Sequence, residues 1–261
     1  MDKLEILDQL VTMSRNLGRP ELEYVMLGEG NTSARINGES FYVKGSGVYL
    51  STADDEGYVE VLFEPALAML NGPDLSDDEI KERLFAACRD KSGRLKPSVE
   101  TVLHAFLLTL PGVAFVAHTH PTDVNKILCS ENAREVYQGR IFPDEIVYCG
   151  VEPVYIDFVD PGIPLARALR RKVDEYLSKH RAPPKVILMQ NHGFIALGKT
   201  PQEVEAITAM GVKTAKVLAG TFMFGGPRYF SEEHLNRICT RPDEAYRRRQ
   251  FDEANRKQES E

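Results

Sequence analysis

No stretch of the 261-residue chain approaches the ~18 consecutive apolar residues that a membrane-spanning helix needs. Its opening, Met1-Asp2-Lys3-Leu4-Glu5, is too acidic and too interrupted for a secretory leader. Both absences point to a cytoplasmic protein without a membrane partner. Cysteine is scarce too: Cys88, Cys129, Cys149 and Cys239 stand far apart with no C-x-x-C pair, the pattern of free thiols in a reducing compartment. Positive charge is not in excess, since 32 Lys and Arg against 39 Asp and Glu leave a formal charge of -7. That balance offers no footprint for nucleic acid, so a small-molecule partner is expected. There is no Walker A sequence, and Gly28-x-Gly30-x-x-Ser33 lacks both the third glycine of a dinucleotide fingerprint and its strand-turn-helix context. Internal repeats, low-complexity tracts and linkers are missing as well. What remains is 43% hydrophobic and 27% charged, ordinary for a globular chain with a substantial core.

Histidine is sparse, 6 in all, which makes its placement informative. Val113-Ala114-Phe115-Val116-Ala117-His118-Thr119-His120-Pro121 is a short apolar run between Pro111-Gly112 and Pro121, the signature of a buried strand. Alternate strand residues share a face, so His118 and His120 point the same way and can share one ion. For such a pair the alternative is hydrogen-bonded core or rim histidines. A third imidazole, His192 in Gln190-Asn191-His192-Gly193, follows the apolar run Val186-Ile187-Leu188-Met189 and also stands where a buried strand reaches the sheet edge. Three neutral imidazoles suit zinc, or another divalent ion such as Mn2+ or Co2+, and leave a position open for substrate or water. Cys129 reads as a buried free thiol rather than a further ligand.

Leu4, Leu7, Leu10, Val11 and Leu17 recur at helical spacing, with Asp2 as N-cap and Gly18 and Pro20 as stops. Residues 28–36, the turn Asn37-Gly38 and residues 41–47 predict a hairpin whose outer ends carry two glycine loops at the same end of the sheet. A second hairpin is expected through Tyr58 to Phe63. Ser76-Asp77-Asp78-Glu79 is a capping box opening a helix through Leu84, Phe85 and Cys88, and Lys91 to Lys96 reads as a loop. Pro97-Ser98-Val99-Glu100 starts a helix with the stripe Val102, Leu103, Phe106, Leu107 and Leu110, which feeds the histidine strand. Strands follow near residues 154–159, before His192 and at 194–197, with helices near 164–178, 201–219 and 231–238. Hairpin-length turns between several strands point to a mostly antiparallel sheet covered by helices. Residues 1–230 read as one domain. The segment 231–261, a short helix and a charged tail, either belongs to it or forms an arm reaching a neighbouring subunit.

Glu100, in the first turn of a helix leading to the histidine strand, can act as a base toward a metal-bound substrate or close the metal site when substrate is absent. Its alternative role is to stabilise the helix dipole. His104 lies one turn on and reads as a supporting or core residue. The loops Gly28 to Ser33 and Lys44 to Gly47, with Ser98, offer backbone N–H groups, small hydroxyls and one ammonium that together can cradle a phosphate. Taken singly, each also looks like a plain turn.

In order along the chain, Gly30-Asn31-Thr32-Ser33, Lys44-Gly45-Ser46-Gly47, Pro97-Ser98-Val99-Glu100, His118-Thr119-His120 and Asn191-His192-Gly193 resemble the class II aldolase/adducin family, over about residues 4–225. Within it the likeness is strongest to aldolases of ketose 1-phosphates. The resemblance implies a three-layer αβα sandwich with a central, mostly antiparallel sheet, and a cyclic homotetramer with active sites between subunits. It implies zinc on His118, His120 and His192, Glu100 as the acid/base, and Gly30, Asn31, Ser46, Gly47 and Ser98 around the substrate phosphate. A tyrosine from the adjacent subunit is implied for the aldehyde oxygen. Tyr137 falls at the matching place, and Tyr246 is the tail's candidate for a second family tyrosine. The implied reaction is reversible cleavage of a ketose 1-phosphate to dihydroxyacetone phosphate and an aldehyde, through a metal-stabilised enediolate and without a lysine Schiff base.

Two departures stand out. Val99 occupies the place of a second hydroxyl residue before the glutamate, so either Lys44 compensates with its charge or the anchored group is a carboxylate. The stretch Ser76 to Lys96 is longer than in compact aldolases and is expected to alter substrate access. Same-fold alternatives are 4-epimerisation of a pentulose phosphate, dehydration of a methylthioribulose phosphate, and decarboxylation. Epimerases of this type carry aspartate where Glu100 stands, whereas decarboxylation gains from Lys44 and Val99. Non-enzymatic adducin-like interaction modules lack the metal histidines, which this chain retains.

Overall fold

The structure is a computed structural model and describes residues 2–93 and 95–241. Helix α1 (Lys3–Leu17) starts on Asp2, whose side chain accepts from the Glu5 N–H while Glu5 returns the bond, a reciprocal capping box. Strands β1 (Asn31–Arg35) and β2 (Ser40–Lys44) form the expected hairpin, and the Asn37 side chain accepts from the N–H groups of Glu39 and Ser40 to hold the turn. Antiparallel pairing brings the start of β1 and the end of β2, with their glycine loops, to one end of the sheet. Strand β3 (Tyr58–Leu62) pairs with β2 and then runs straight into helix α2 (Phe63–Asn71). The sequence predicts strand up to Phe63; the helical period of buried Phe63, Ala66, Met69 and Leu70 begins without a break and is obscured by Pro65 in the first turn.

Helix α3 (Asp77–Ala87) opens on the Ser76–Glu79 capping box. Helix α4 (Thr101–Leu108) starts four residues after Pro97, where its motif places the start, because Pro97 is held in a bridge with Gly45 and Glu100 becomes the N-cap instead of a first-turn residue. Then come β4 (Phe115–Thr119), α5 (Thr122–Leu128), α6 (Ala133–Val136), α7 (Pro143–Cys149), β5 (Val154–Ile156) and α8 (Ile163–His180). The chain continues through β6 (Val186–Met189), β7 (Gly193–Gly198), α9 (Pro201–Thr221) and α10 (Glu232–Thr240). The helices α5 to α7 are not expected from sequence, since 4 to 7 residues hold too little of a 3.6-residue period to register.

Among the described residues the strands form one 7-stranded sheet in the order β3-β2-β1-β4-β7-β6-β5, antiparallel except for β5–β6. Side chains alternate between its faces. Phe41, Val43, Val61, Val116, Ile195 and Leu197 share one core with α2, α3, α4 and α8, while Ala34, Tyr42, Phe115, Ala117, Phe194 and Ala196 share the other with α1, α5 and α9. This is the three-layer αβα sandwich. Leu103 and Leu107 of α4 are fully buried, each worth ~1.5–3 kcal/mol of transfer free energy, and they pin this helix against the histidine strand. Helix α10 packs on α7 through Ile238, Ile146 and Val147. Among the described residues no helix is long and apolar enough to cross a membrane.

Candidate active site

Strand β4 lies at the centre of the sheet between β1 and β7, with His118 opposite Asn31 on one side and Ile195 on the other. His118 therefore points to the α4 face. His120 follows just past the strand, kept extended by its N–H bond to the Tyr24 carbonyl at 2.9 Å. His192 sits in the tight turn between β6 and β7, where Asn191 takes a left-handed φ of 52° that asparagine tolerates better than most residues. The turn delivers the third imidazole back to the first two.

His118 Nδ1 lies 3.1 Å from the Phe194 carbonyl, which can only accept, so Nδ1 carries the hydrogen and Nε2 keeps its lone pair. Nε2 of His120 is 2.9 Å from it. The three rings meet edge to face with centroids 4.6, 4.9 and 5.2 Å apart. One nitrogen from each lies within 4.8 Å of the others, a range that brackets the roughly 3.4 Å between nitrogens bound to one tetrahedral zinc. Burial pushes the His118 imidazolium below its ordinary pKa, and burial together with the neighbouring imidazoles pushes His120 down to about 3. Neutral, converging imidazoles are what a borderline divalent cation requires. Gly193 completes the fit: a Cβ there would stand 2.6 Å from the Thr119 carbonyl oxygen and 2.7 Å from the His120 ring.

Glu100 reaches this cluster from the N-terminus of α4. Its Oε2 accepts from Asn31 Nδ2 at 2.7 Å and lies 3.6 Å from His118 Nε2, while Oε1 is 3.2 Å from His192 Nε2. Burial alone would raise the carboxyl pKa, but His118, His192 and the Asn31 amide outweigh it and hold the group well below the usual carboxylate range. A buried carboxylate thus stands ready-ionised beside three imidazoles. His104, buried on the next turn, contacts Asn31 Oδ1 through Nε2 and Ser33 through Nδ1. Burial, with His118 nearby, pushes it down to about 3, so it too is neutral.

The anion-binding candidates gather beside the cluster. Gly45 bridges Pro97, and the Ser46 N–H bonds the Lys96 carbonyl at 2.8 Å, so the second glycine loop lies against the start of α4. Ser98 Oγ accepts from the Glu100 N–H at 3.3 Å. Ser46 and Gly47 are exposed, and Gly47 takes the positive φ of 80° that favours glycine. Gly30 is required for packing, since a Cβ there would stand 2.6 Å from the His118 carbonyl oxygen. Two residues sit otherwise than expected. Both ends of the Asn31 amide are engaged by Glu100 and His104, which makes Asn31 a brace for the carboxylate instead of a free phosphate ligand. Lys44 is buried on the α1 face, opposite Tyr58, and its ammonium donates to the carbonyls of Gly28 at 3.3 Å and Val48 at 2.5 Å. It ties the two glycine loops together, with its charge spent on their backbone.

Val99 is 41% exposed. The long Ser76 to Lys96 stretch covers the β2–β3 region, bridging Val61 through Cys88 and laying Leu95 over Gly45. Cys129 is exposed, contrary to the sequence expectation. Tyr137 lies inside its own protomer, 6% exposed, beside the buried Arg140–Glu145 pair, and its hydroxyl has no hydrogen-bond partner among the described residues. It follows a helix whose Val136 is core, and its ring packs into the same core. Tyr246 lies outside the described residues. Sequence reading passes over Glu29, whose Oε2 is 3.9 Å from His120 Nδ1; its place between two loop glycines is the one signal it carries.

Residues 8–218 match the class II aldolase and adducin N-terminal domain. The chain is 26% identical over 215 residues to the uncharacterized oxidoreductase YuxG of Bacillus subtilis, covering 77% of this chain but 29% of that protein. It thus spans less than a third of the length of that curated relative. The N-terminal class II aldolase domain of a conserved protein from Thermoplasma acidophilum is similar at a TM-score of 0.63 and 26% identity, covering 82% of this chain and 93% of that one. An L-fuculose 1-phosphate aldolase is similar in fold at a TM-score of 0.65 and 15% identity, covering 91% and 96%.

Proposed function

Because the chain belongs to the class II aldolase and adducin family, we propose that it is a divalent-metal-dependent aldolase joining and cleaving dihydroxyacetone phosphate and an aldehyde at a ketose 1-phosphate. The observation that carries this reading is the Glu100 carboxylate buried against His118 and His192. A divalent cation held by His118, His120 and His192, with zinc the first choice and Mn2+ or Co2+ as substitutes, supplies Lewis-acid polarisation of the substrate oxygens. Everything else falls to side chains and backbone. In the condensing direction Glu100 takes a proton from the hydroxymethyl carbon of dihydroxyacetone phosphate, and the electron pair left on that carbon forms the new bond to the aldehyde carbon. The aldehyde C=O pair moves onto its oxygen, that oxygen takes a proton from water, and Glu100 returns its own proton to water. In cleavage the hydroxyl on the far carbon gives its proton to water and its oxygen closes the aldehyde C=O. The C–C bond breaks with its pair returning to the dihydroxyacetone phosphate carbon, and protonated Glu100 delivers a proton to that carbon.

Ser46, Gly47 and Ser98 hold the phosphate with hydroxyls and N–H groups, and Lys44 keeps the two loops in register for it. Tyr137 has no part in this reading. The test is a panel of ketose phosphates and hydroxy-acids offered to zinc-loaded protein. Release of an aldehyde with dihydroxyacetone phosphate supports the aldolase; carbon dioxide without aldehyde would replace it with a decarboxylase, and a C4 epimer without cleavage would replace it with an epimerase.

A further inference from the structure

Behind Glu100 runs a chain of four buried polar side chains in which every proton has one possible place. Glu100 Oε2 meets Asn31 Nδ2 at 2.7 Å, Asn31 Oδ1 meets His104 Nε2, and His104 Nδ1 meets Ser33 Oγ at 2.7 Å. Ser33 and His104 are 0% exposed, so no solvent completes their bonding. The directions follow from the amide. Asn31 Nδ2, which only donates, faces Glu100 Oε2, and its Oδ1 faces the imidazole. That oxygen only accepts, so His104 Nε2 must carry a hydrogen. A neutral ring then has a lone pair on Nδ1, and Ser33 must donate to it.

The fold supplies the chain economically: Asn31 and Ser33 are alternate residues on one face of β1, and Glu100 and His104 are one turn apart on α4. The result is asymmetric. Oε2 is occupied by Asn31, whereas Oε1 lies on the metal-facing side with His192 Nε2, one of the candidate ligands, 3.2 Å away.

We propose that His104 is a positioning residue: held by Ser33 as its Nε2–H tautomer, it fixes the Asn31 amide and thereby leaves Oε1 as the working oxygen of Glu100. The working role of Oε1 rests on the function proposed above, whereas the tautomer chain does not. Two measurements separate them. Long-range 15N–1H correlation spectra of histidine-labelled, zinc-loaded protein, assigned against a His104→Gln sample, are predicted to show His104 as the neutral Nε2–H form from weakly acidic to weakly basic pH. An Nδ1–H ring or an imidazolium at neutral pH overturns the chain, whatever reaction the protein catalyses. For positioning, His104→Gln can still donate from the Nε2 place, whereas His104→Asn cannot reach it. Gln is expected to keep kcat near wild type, and Asn to lower kcat roughly 10- to 100-fold with KM and zinc content unchanged. Equal kcat for the two variants, or a loss confined to KM, contradicts the positioning role.

Discussion

At Gly193 a single missing carbon keeps the imidazoles together. A Cβ there would meet the Thr119 carbonyl oxygen at 2.6 Å, the His120 ring at 2.7 Å and the His118 ring at 3.1 Å, and backbone on one side leaves it no way to yield. Gly193→Ala is expected to cost about 1–3 kcal/mol of stability by overpacking and to weaken zinc retention at least 10-fold. Gly38→Ala, where nothing lies within 4 Å, is the control and is expected to leave both unchanged. Metal content after gel filtration, with chemical denaturation, reads both effects; full zinc occupancy in Gly193→Ala contradicts the packing argument. Lys44 makes a second residue-scale prediction. Burial pushes its ammonium down to about 8 from an ordinary 10.5, with Glu100 pulling weakly the other way. Between those values the unfolded chain binds a proton that the folded protein does not, so Lys44 adds stability as pH rises from about 8 to 10.5. Denaturation midpoints of wild type and Lys44→Met are expected to diverge in favour of wild type across that window, and parallel curves would contradict it.

At the scale of elements, the site is built from strand ends and one helix start, and these differ in how legible they are. The period of two in β4 makes the shared face of His118 and His120 readable, and the second apolar run makes His192 readable as another strand-end imidazole. The glycine loops are placed by hairpin antiparallelism alone. Strand register is not readable in this way. Asn31 faces His118 because β1 pairs with β4, a contact between distant segments, and that pairing aims its amide at Glu100 instead of at a phosphate. The direction of Tyr137 is unreadable for a related reason: a 4-residue helix carries no period from which an inward or outward side chain can be told. Glu100 at the N-cap makes no side-chain capping bond, so its carboxylate is free for other work. Glu100→Gln is accordingly expected to keep α4 and zinc binding intact, as read by circular dichroism and metal content.

For the whole molecule, the matched domain at residues 8–218 contains every residue of the candidate site, and α10 packs onto it through α7. We propose that residues 1–230 form the catalytic domain, that 231–261 extends it, and that it works as a cytoplasmic homotetramer with sites near subunit boundaries, as family membership suggests. The proposed reaction reduces to one step at the site, exchange of a proton between Glu100 and carbon beside the histidine cluster. The direct measurement is incorporation of deuterium from D2O into dihydroxyacetone phosphate by the zinc-loaded protein, followed by NMR. Exchange of one hydroxymethyl hydrogen of the two, on one prochiral side, is expected, falling by ~10²–10⁴-fold in Glu100→Gln at unchanged zinc content. Exchange that persists in Glu100→Gln, or none at all in zinc-loaded wild type, would contradict it.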